Sequence, residues 1–483
     1  MSKHVAHPLE ATPREVAGSP TRKPEPRLLG YLLLIALGAV GLFLGARPVG
    51  DQSAWLHLSI GRQLIGGGGF GRVDPWVPWA AQPYIPTEWL PDVAAYKLHE
   101  LFGLSGIAWL RGAGILLLLA VTIWGGRRVG DTVPALIAAG AALVGAAHAL
   151  TARPQLLGFV FLSLAVVAWW QMAGDLRPRW WLVPLTWVWA SSHGLWVVGV
   201  GFGVVTVAGL ALDRRLTWGS ARRLCAVPAL SLGAAALTPI GPALLLTPLT
   251  VGRDVRDFVG EWQASSAHDL ATFVTLCMLA LVALSWARSR RMPPWWQIAH
   301  LVVAFVATLA MERTVAVGAV VAAPLLAQTL QNWRGTPSVA LPRRDTVAWL
   351  AMGVSALLIA APLAGTLAAR PTNVPTGLQS ALSSLPAGTV VLEDSNMSAW
   401  AGWVAPHLRP VKDSRSEIFS RQQHLDYARL VATAPGWDTI LGRSGATWAL
   451  VLTDSPLAAA LHERESWATV GTDDGYSLMR RPG

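Results

Sequence analysis

Apolar residues along this chain gather in blocks of roughly 18–22, enough to carry a helix across ~30 Å of hydrocarbon. The first runs about Leu28–Ala46, and Ser105–Gly125, Thr132–Leu150 and Gln155–Ala173 follow after a long polar interval. Trp180–Ser191 is short for a crossing unless tilted, and Leu195–Leu212 comes next. The block Leu224–Leu237 ends in Thr238-Pro239-Ile240-Gly241-Pro242. Such a break is tolerated at membrane depth where the freed backbone is buried in protein or lines a cavity. Leu270–Ala287, Gln297–Ala310, Val315–Leu330 and Thr346–Ala364 complete the series. The pattern predicts an α-helical polytopic membrane protein of about 11 transmembrane helices.

The long interval, residues 47–104, is no plain connector, since loops of that length are functional or disordered. Within it, Ser53–Leu64 places Leu56, Ile60 and Leu64 on one helical face, and Pro91–Phe102 reads the same way. Both fit helices lying in the membrane interface. Between them lie Gly66–Gly69 and several tryptophans, a composition unlike a disordered segment. From Pro371 the apolar blocks stop. Short β-like pieces (Thr389–Leu392, Trp448–Thr453, Tyr476–Met479) alternate there with helical ones. The domains expected are a disordered cytoplasmic tail (1–27), a transmembrane domain (28–366) and a small soluble α/β domain (371–483).

Composition agrees: 53% of the 483 residues are hydrophobic and only 14% charged, against about a quarter charged in soluble domains. The net charge of +10 does not signal nucleic-acid binding, because the basic residues form short clusters between apolar blocks. Counting spans from a cytoplasmic tail, Arg127-Arg128, Arg177 and Arg179, Arg214 to Arg223, Arg288 to Arg291, and Arg334 to Arg344 all fall on the tail's side. That satisfies the positive-inside rule. The long loop, Arg153, His193, Glu261, Glu312-Arg313 and the terminal domain then share the extracytoplasmic face. Cys225 and Cys277 lie inside apolar blocks and suggest neither a disulfide framework nor a metal site.

The isolated ionisable residues on that face are functional candidates, because charges at a membrane are costly to place. Each also has a bland reading. Asp51 is either a solvated interfacial acid or a general base or metal-holding carboxylate. Asp74 before Pro75 fits a turn; Glu88 after Thr87 fits a helix cap or a second active-site acid. His57 and His193 are packing or substrate-binding residues. Arg153 snorkels or clamps a phosphate. Glu261-Trp262-Gln263 is an indole-anchored loop or a sugar-stacking element. Glu312-Arg313 is an ion pair, or Arg313 binds an anionic lipid group.

The order of these elements resembles a large set of bacterial multi-pass proteins related to the GT-C glycosyltransferases. Their first outer loop reads like Asp-x-Asp-x-Trp-x-His-Leu, a Gly, Asp-Pro, then Glu-Trp-Leu. Here stand Asp51, Trp55, His57, Leu58, Gly61, Asp74-Pro75 and Glu88-Trp89-Leu90. The resemblance continues through Ala152-Arg153-Pro154-Gln155, Ser192-His193-Gly194, Thr238-Pro239-Ile240-Gly241 and Glu261-Trp262-Gln263 to Asp413-Ser414-Arg415-Ser416-Glu417. The second acidic position of the first motif is Ser53 here, which puts metal binding and activity in question.

The resemblance implies a hexosyl or pentosyl transferase taking its sugar from a polyprenyl-phosphate carrier at the outer membrane face. The acceptor would be a cell-envelope glycan, lipid or protein. Asp51 would be the base with Glu88 second. Arg153 and Arg313 would hold the donor phosphate, and the carrier's tail would lie near Pro239–Pro242. His57, Asp74, His193, Glu261, Trp262, Asp413, Arg415 and Glu417 would bind substrate. No cofactor is required beyond a possible divalent cation. The alternatives are a non-catalytic scaffold or lipid-linked-glycan handling protein of the same fold, and a transporter. Against the transporter stand the absence of an evident inverted repeat and the gathering of polar groups at one face.

Overall fold

The computed structural model describes residues 27–70, 76–77, 79–247, 257–289, 292–338, 342–394 and 397–483. Asp74 lies outside the described residues. Among those described, six helices are long and apolar enough to cross a membrane. They are Leu28–Ala46 (the body of α1, Arg27–Ala46), α3 (Trp89–Arg127), α5 (Gln155–Asp175), α9 (Leu270–Arg288), the segment Glu312–Arg334 that contains α11 (Val315–Arg334), and α12 (Arg343–Leu367). Three apolar helices are shorter: α4 (Thr132–Gly145), α7 (Trp196–Leu212) and α10 (Trp295–Ala310). Among the described residues the remaining α-helices of the bundle are α2 (Ser53–Ile65), α6 (Leu182–Ala190) and α8 (Trp218–Ala236).

The packed centre of the bundle is α11, buried along most of its length against α4, α9 and α10. Small residues permit this: a Cβ at Gly318 would collide with the hydroxyl of Thr308 and the carbonyl of Ala304. Lipid-level helices associate through such close approaches, not through the hydrophobic effect. By contrast α12 exposes Val347, Leu350, Val354 and Leu358 on its outside.

The periodicity separates an interfacial helix at Pro91–Phe102 from a span at Ser105–Gly125. The structure joins them as α3, with one break at Gly103, whose φ of 60° and ψ of −151° suit a residue without Cβ. The interfacial part is thereby fixed to a membrane helix. The break after α8 is present as a 3-10 turn, Gly241–Leu245, opened by Gly241 at φ 75°.

The terminal segment folds around a five-stranded sheet: β1 (Val390–Glu393), β2 (Arg409–Pro410), β3 (Trp448–Leu452), β4 (Ala468–Asp473) and β5 (Tyr476–Arg480). Spatial order is β2-β1-β3-β5-β4; β1 runs parallel to β2 and β3, while β5 is antiparallel to β3 and β4. Three of these strands match the β-like pieces in the sequence. The other two carry no such signal: β2 is two residues long, and β4 is a mostly exposed edge strand. Helices α13 (Gln379–Ser383), α14 (Met397–Val404), α15 (Arg421–Val431), α16 (Trp437–Ser444) and α17 (Pro456–Glu463) accompany the sheet. One apolar cluster joins this domain to the bundle, with Trp55, Leu58, Ile107 and Trp400 in common.

Candidate functional site

The site begins where α1 ends. Arg111 of α3 donates to the carbonyls of Gly45 (2.9 Å), Pro48 (3.4 Å) and Arg47. These are carbonyls a helix end leaves unpaired, so the chain leading to Asp51 is held. The Asp51 carboxylate then accepts from the Ser53 amide at 3.0 Å. It also accepts two bonds from Arg153, Nε at 2.7 Å and Nη2 at 3.2 Å. Arg153 sits in the turn before α5 and pairs through Nη1 with Glu261 at 2.5 Å. Burial pushes the Asp51 carboxyl up, but Arg153 and the Ser53 amide outweigh it and hold it below the usual range. Burial likewise opposes the Arg153 charge, and Asp51 and Glu261 more than compensate.

A second row of groups crosses the mouth of α3. His57 on α2 shares a proton with Asp92 of α3, Nδ1 to Oδ1 at 2.8 Å, and its Nε2 faces Glu88 at 3.9 Å. Helix α2 can lie this close to α3 because position 61 is glycine. A Cβ there would strike the Asp92 carbonyl and come within 2.7 Å of Tyr96 Cβ. On its other side Glu88 meets His193 Nε2 at 3.5 Å, and His193 is 3.2 Å from Arg313 Nη2. The Leu90 amide bonds the Ser191 carbonyl at 3.1 Å, which fixes Glu88 against the α6–α7 turn. The Leu195 amide lies 3.2 Å from His193 Nδ1, so both ring nitrogens of His193 face N–H donors, Nδ1 the amide and Nε2 the Arg313 guanidinium.

Burial pushes Glu88 up to about 7; Asp92 and Glu417 add to the rise, while His57 and Arg313 oppose it. Burial alone would lower His57, but Asp92 and Glu88 raise it above the ordinary imidazole value. Burial, then the Arg313 and His57 charges, drive His193 well below that value. Arg313 also lies 5.9 Å from the Trp262 ring. Among the described residues no carboxylate comes within 4 Å of its guanidinium, so it is the cation of this site without an ion-pair partner.

The terminal domain closes the top. Trp79 Nε1 donates to the Val411 carbonyl at 2.7 Å, and the Ala81 and Gln82 amides bond the Ile418 carbonyl. Gln423 Nε2 reaches the Trp79 carbonyl at 2.7 Å. Arg415, 2% exposed, pairs with Asp413 and stacks against Trp76 at 4.7 Å and Tyr84 at 5.0 Å. Burial raises Glu417, with Asp413 adding and Arg415 and Arg313 opposing. Its charge is felt at Glu88 and Tyr84.

Of the residues singled out by sequence, Asp51, Arg153 and Glu261 form one cluster. His57, Glu88, His193, Arg313 and Trp262 form the next, and Asp413, Arg415 and Glu417 form its roof. Sequence reasoning passed over Asp92, Arg111 and Tyr84. A signal existed for Asp92: it stands four residues after Glu88, on the same face of a helix. Arg111 was hidden inside an apolar block.

Two cavities adjoin these groups. One, ≈ 130 Å³, is polar and bounded by Gln155, Glu261, Glu312 and Arg313. The other, ≈ 50 Å³, runs from Arg153 and His57 between apolar side chains of α2, α3 and α5, including Leu58, Ile107 and Leu157. The break at Pro239–Pro242 does not line it. Among the described residues the donor set does not fit a resident divalent cation. Both oxygens of Asp51 are taken by Arg153, Ser53 supplies no second carboxylate, and no described group of three His, Cys, Asp or Glu is arranged as ligands.

No family model and no curated protein matches the chain. Solved structures do. An oligosaccharyltransferase, AglB from Archaeoglobus fulgidus, superposes with a TM-score of 0.58 at 11% identity, over 89% of this chain and 70% of that one. The same enzyme in complex with an inhibitory peptide and a dolichol-phosphate gives the same values. ArnT from Cupriavidus metallidurans bound to undecaprenyl phosphate has a TM-score of 0.51 at 16% identity, over 94% of this chain and 97% of that one. Both are GT-C glycosyltransferases, and the likeness at these identities shows the fold.

Proposed function

We propose that this GT-C-fold chain transfers a sugar from a polyprenyl-phosphate carrier to a cell-envelope acceptor at the extracytoplasmic face, with about 11 spans, a cytoplasmic N-terminus and an outward terminal domain. The observation that carries this reading is a half-buried carboxylate, Glu88, raised to about 7, near an arginine, Arg313, that has no carboxylate within 4 Å among the described residues. The first is suited to take a proton near neutral pH; the second is suited to receive a phosphate.

The acceptor hydroxyl gives its proton to Glu88 as its oxygen bonds the anomeric carbon. The bond from that carbon to the phosphate oxygen breaks, and its electron pair leaves with the carrier phosphate. Arg313 takes up the charge that develops there. Displacement in one step inverts the anomeric centre. Asp51 remains the second candidate base. Its two bonds to Arg153 favour an orienting role, keeping that guanidinium between itself and Glu261 at the edge of the phosphate site. The apolar cavity beside Arg153 suits the first isoprene unit of the carrier. Trp76, Tyr84 and Trp262 offer faces on which a sugar ring stacks, and Asp413, Arg415 and Glu417 frame the acceptor side.

The same occupancy of Asp51, with Ser53 in place of an acid, favours the second reading, a non-catalytic lipid-linked-glycan handling protein. The two part on one experiment. Purified wild type and Glu88→Gln are tested for binding of undecaprenyl phosphate and for sugar transfer from a lipid extract of the parent cells. The enzyme reading requires equal binding and transfer by the wild type alone. Binding by both with transfer by neither supports the second reading.

A further inference from the structure

Glu88 lies between two imidazoles that differ in what stands behind them. His193 is backed by a backbone amide that occupies Nδ1 at 3.2 Å and by Arg313 at 3.2 Å. N–H donors at both ring nitrogens, one of them a cation, disfavour a second proton on this ring. His57 is backed by a carboxylate. Asp92 is 0% exposed and contacts Nδ1 at 2.8 Å, while its Oδ2 has no partner. A buried carboxylate with one free oxygen is stabilised chiefly by the charge opposite it, so breaking the pair is costly. Asp92 borders the apolar cavity beside Arg153 but is 0% exposed, with its Oδ1 engaged by His57.

Resting on the sugar-transfer reading, we propose that Asp92 is a positioning residue. It keeps His57 protonated, 3.9 Å from Glu88, and so keeps Glu88 in the carboxylate form that accepts the hydroxyl proton.

The other groups facing the pair do not substitute for it. Asp51 and Arg153 lie on the α2 and α5 side and cancel one another at 2.7 Å. Arg313 favours the Glu88 carboxylate, whereas Glu417 disfavours it. Tyr84, from the outer loop, is neutral below its raised value. That leaves the His57 charge as the strongest influence favouring an ionised Glu88, ahead of the opposing effect of Asp92. Removing the Asp92 charge therefore acts mainly by neutralising His57. The proton then settles on Glu88.

The test is infrared titration of the full-length protein in lipid, following the protonated-carboxyl band that Glu88→Gln abolishes. In Asp92→Asn the pH at which this band disappears should rise by about one unit, the scale of one partly buried charge. His57→Gln, which leaves the opposing Asp92 charge in place, should give at least that rise and serves where Asp92→Asn does not fold. Transfer activity should fall roughly fivefold at pH 7 and return at alkaline pH, since a general base must be ionised. An unchanged or lowered midpoint in the variants overturns the proposal, as does loss of activity by one factor at every pH. A raised midpoint in a protein whose wild type transfers no sugar would uphold the proton placement and reject the sugar-transfer reading instead.

Discussion

Asp51, the first acid after the first membrane helix, grips Arg153 with both carboxylate oxygens, at 2.7 and 3.2 Å across 102 positions of sequence. This pair ties the start of the long first loop to the turn before α5. The carboxyl is held below its unfolded value, so its stabilisation is complete above the ordinary Asp range, ~3.9. It is lost as pH falls through the lower folded value. Thermal melting in detergent should hold constant from neutral pH to about 5 for this contribution. Asp51→Asn should melt lower at neutral pH and lose that acid-side slope; an equal slope in the variant would argue against the pairing.

Glu88, raised to about 7 by burial, should set the acid limb of the pH profile. A base works only when ionised, so kcat falls as pH drops through about 7. Glu88→Gln should lose roughly 10²–10⁴-fold in kcat with little change in donor binding. A profile flat from pH 5 to 8 would point to another base.

Arg313 has no carboxylate within 4 Å among the described residues, so its charge is available to a ligand. A hydrogen bond to a charged group is worth about 1.5–3 kcal/mol, or roughly 10–100-fold in affinity. Arg313→Met should weaken undecaprenyl phosphate binding by that factor, and Arg313→Lys by less. Calorimetric titration reads both; equal affinity in all three proteins would remove Arg313 from the phosphate site.

Gly61→Ala should act on the site without touching it. The new methyl meets the Asp92 carbonyl, and overpacking costs about 1–3 kcal/mol. Because α2 carries His57 and α3 carries Asp92, separating them should depress both melting temperature and activity. A variant of normal stability and rate would show that the two helices are freer than their packing indicates.

Arg415 joins the roof to the long first loop. Removing one partner of a buried ion pair costs about 3–5 kcal/mol, and Arg415→Met would strand Asp413. The terminal domain should then become protease-sensitive in limited digestion while the bundle stays intact. Unchanged digestion would place the docking energy in Trp79 and Ile418 instead.

Much of this was legible in the chain itself. Apolar block length located most of the helices, and several sparse charged residues between the blocks, Asp51, Arg153 and Glu261 among them, come together in the structure. The limits were physical too. Periodicity could not see that Gly103 would let an interfacial helix and a span continue as one, since a glycine in an apolar run has several uses. The edge strand Ala468–Asp473 alternates too weakly to announce itself, as it buries neither face. Asp92 reads as a helix's first-turn acid until its distance from His57 is known, and pairing across 35 positions leaves no local trace. The double engagement of Asp51 is also a tertiary fact, and it shifts the favoured base from Asp51 to Glu88.

The most direct test compares lipid-linked sugars and envelope glycans by mass spectrometry in a deletion strain complemented with wild type or Glu88→Gln. The account predicts that the variant behaves as the deletion: one polyprenyl-phosphate sugar accumulates and one envelope glycan loses a residue, both restored by wild type. Identical lipid and glycan profiles in deletion, variant and parent would contradict it.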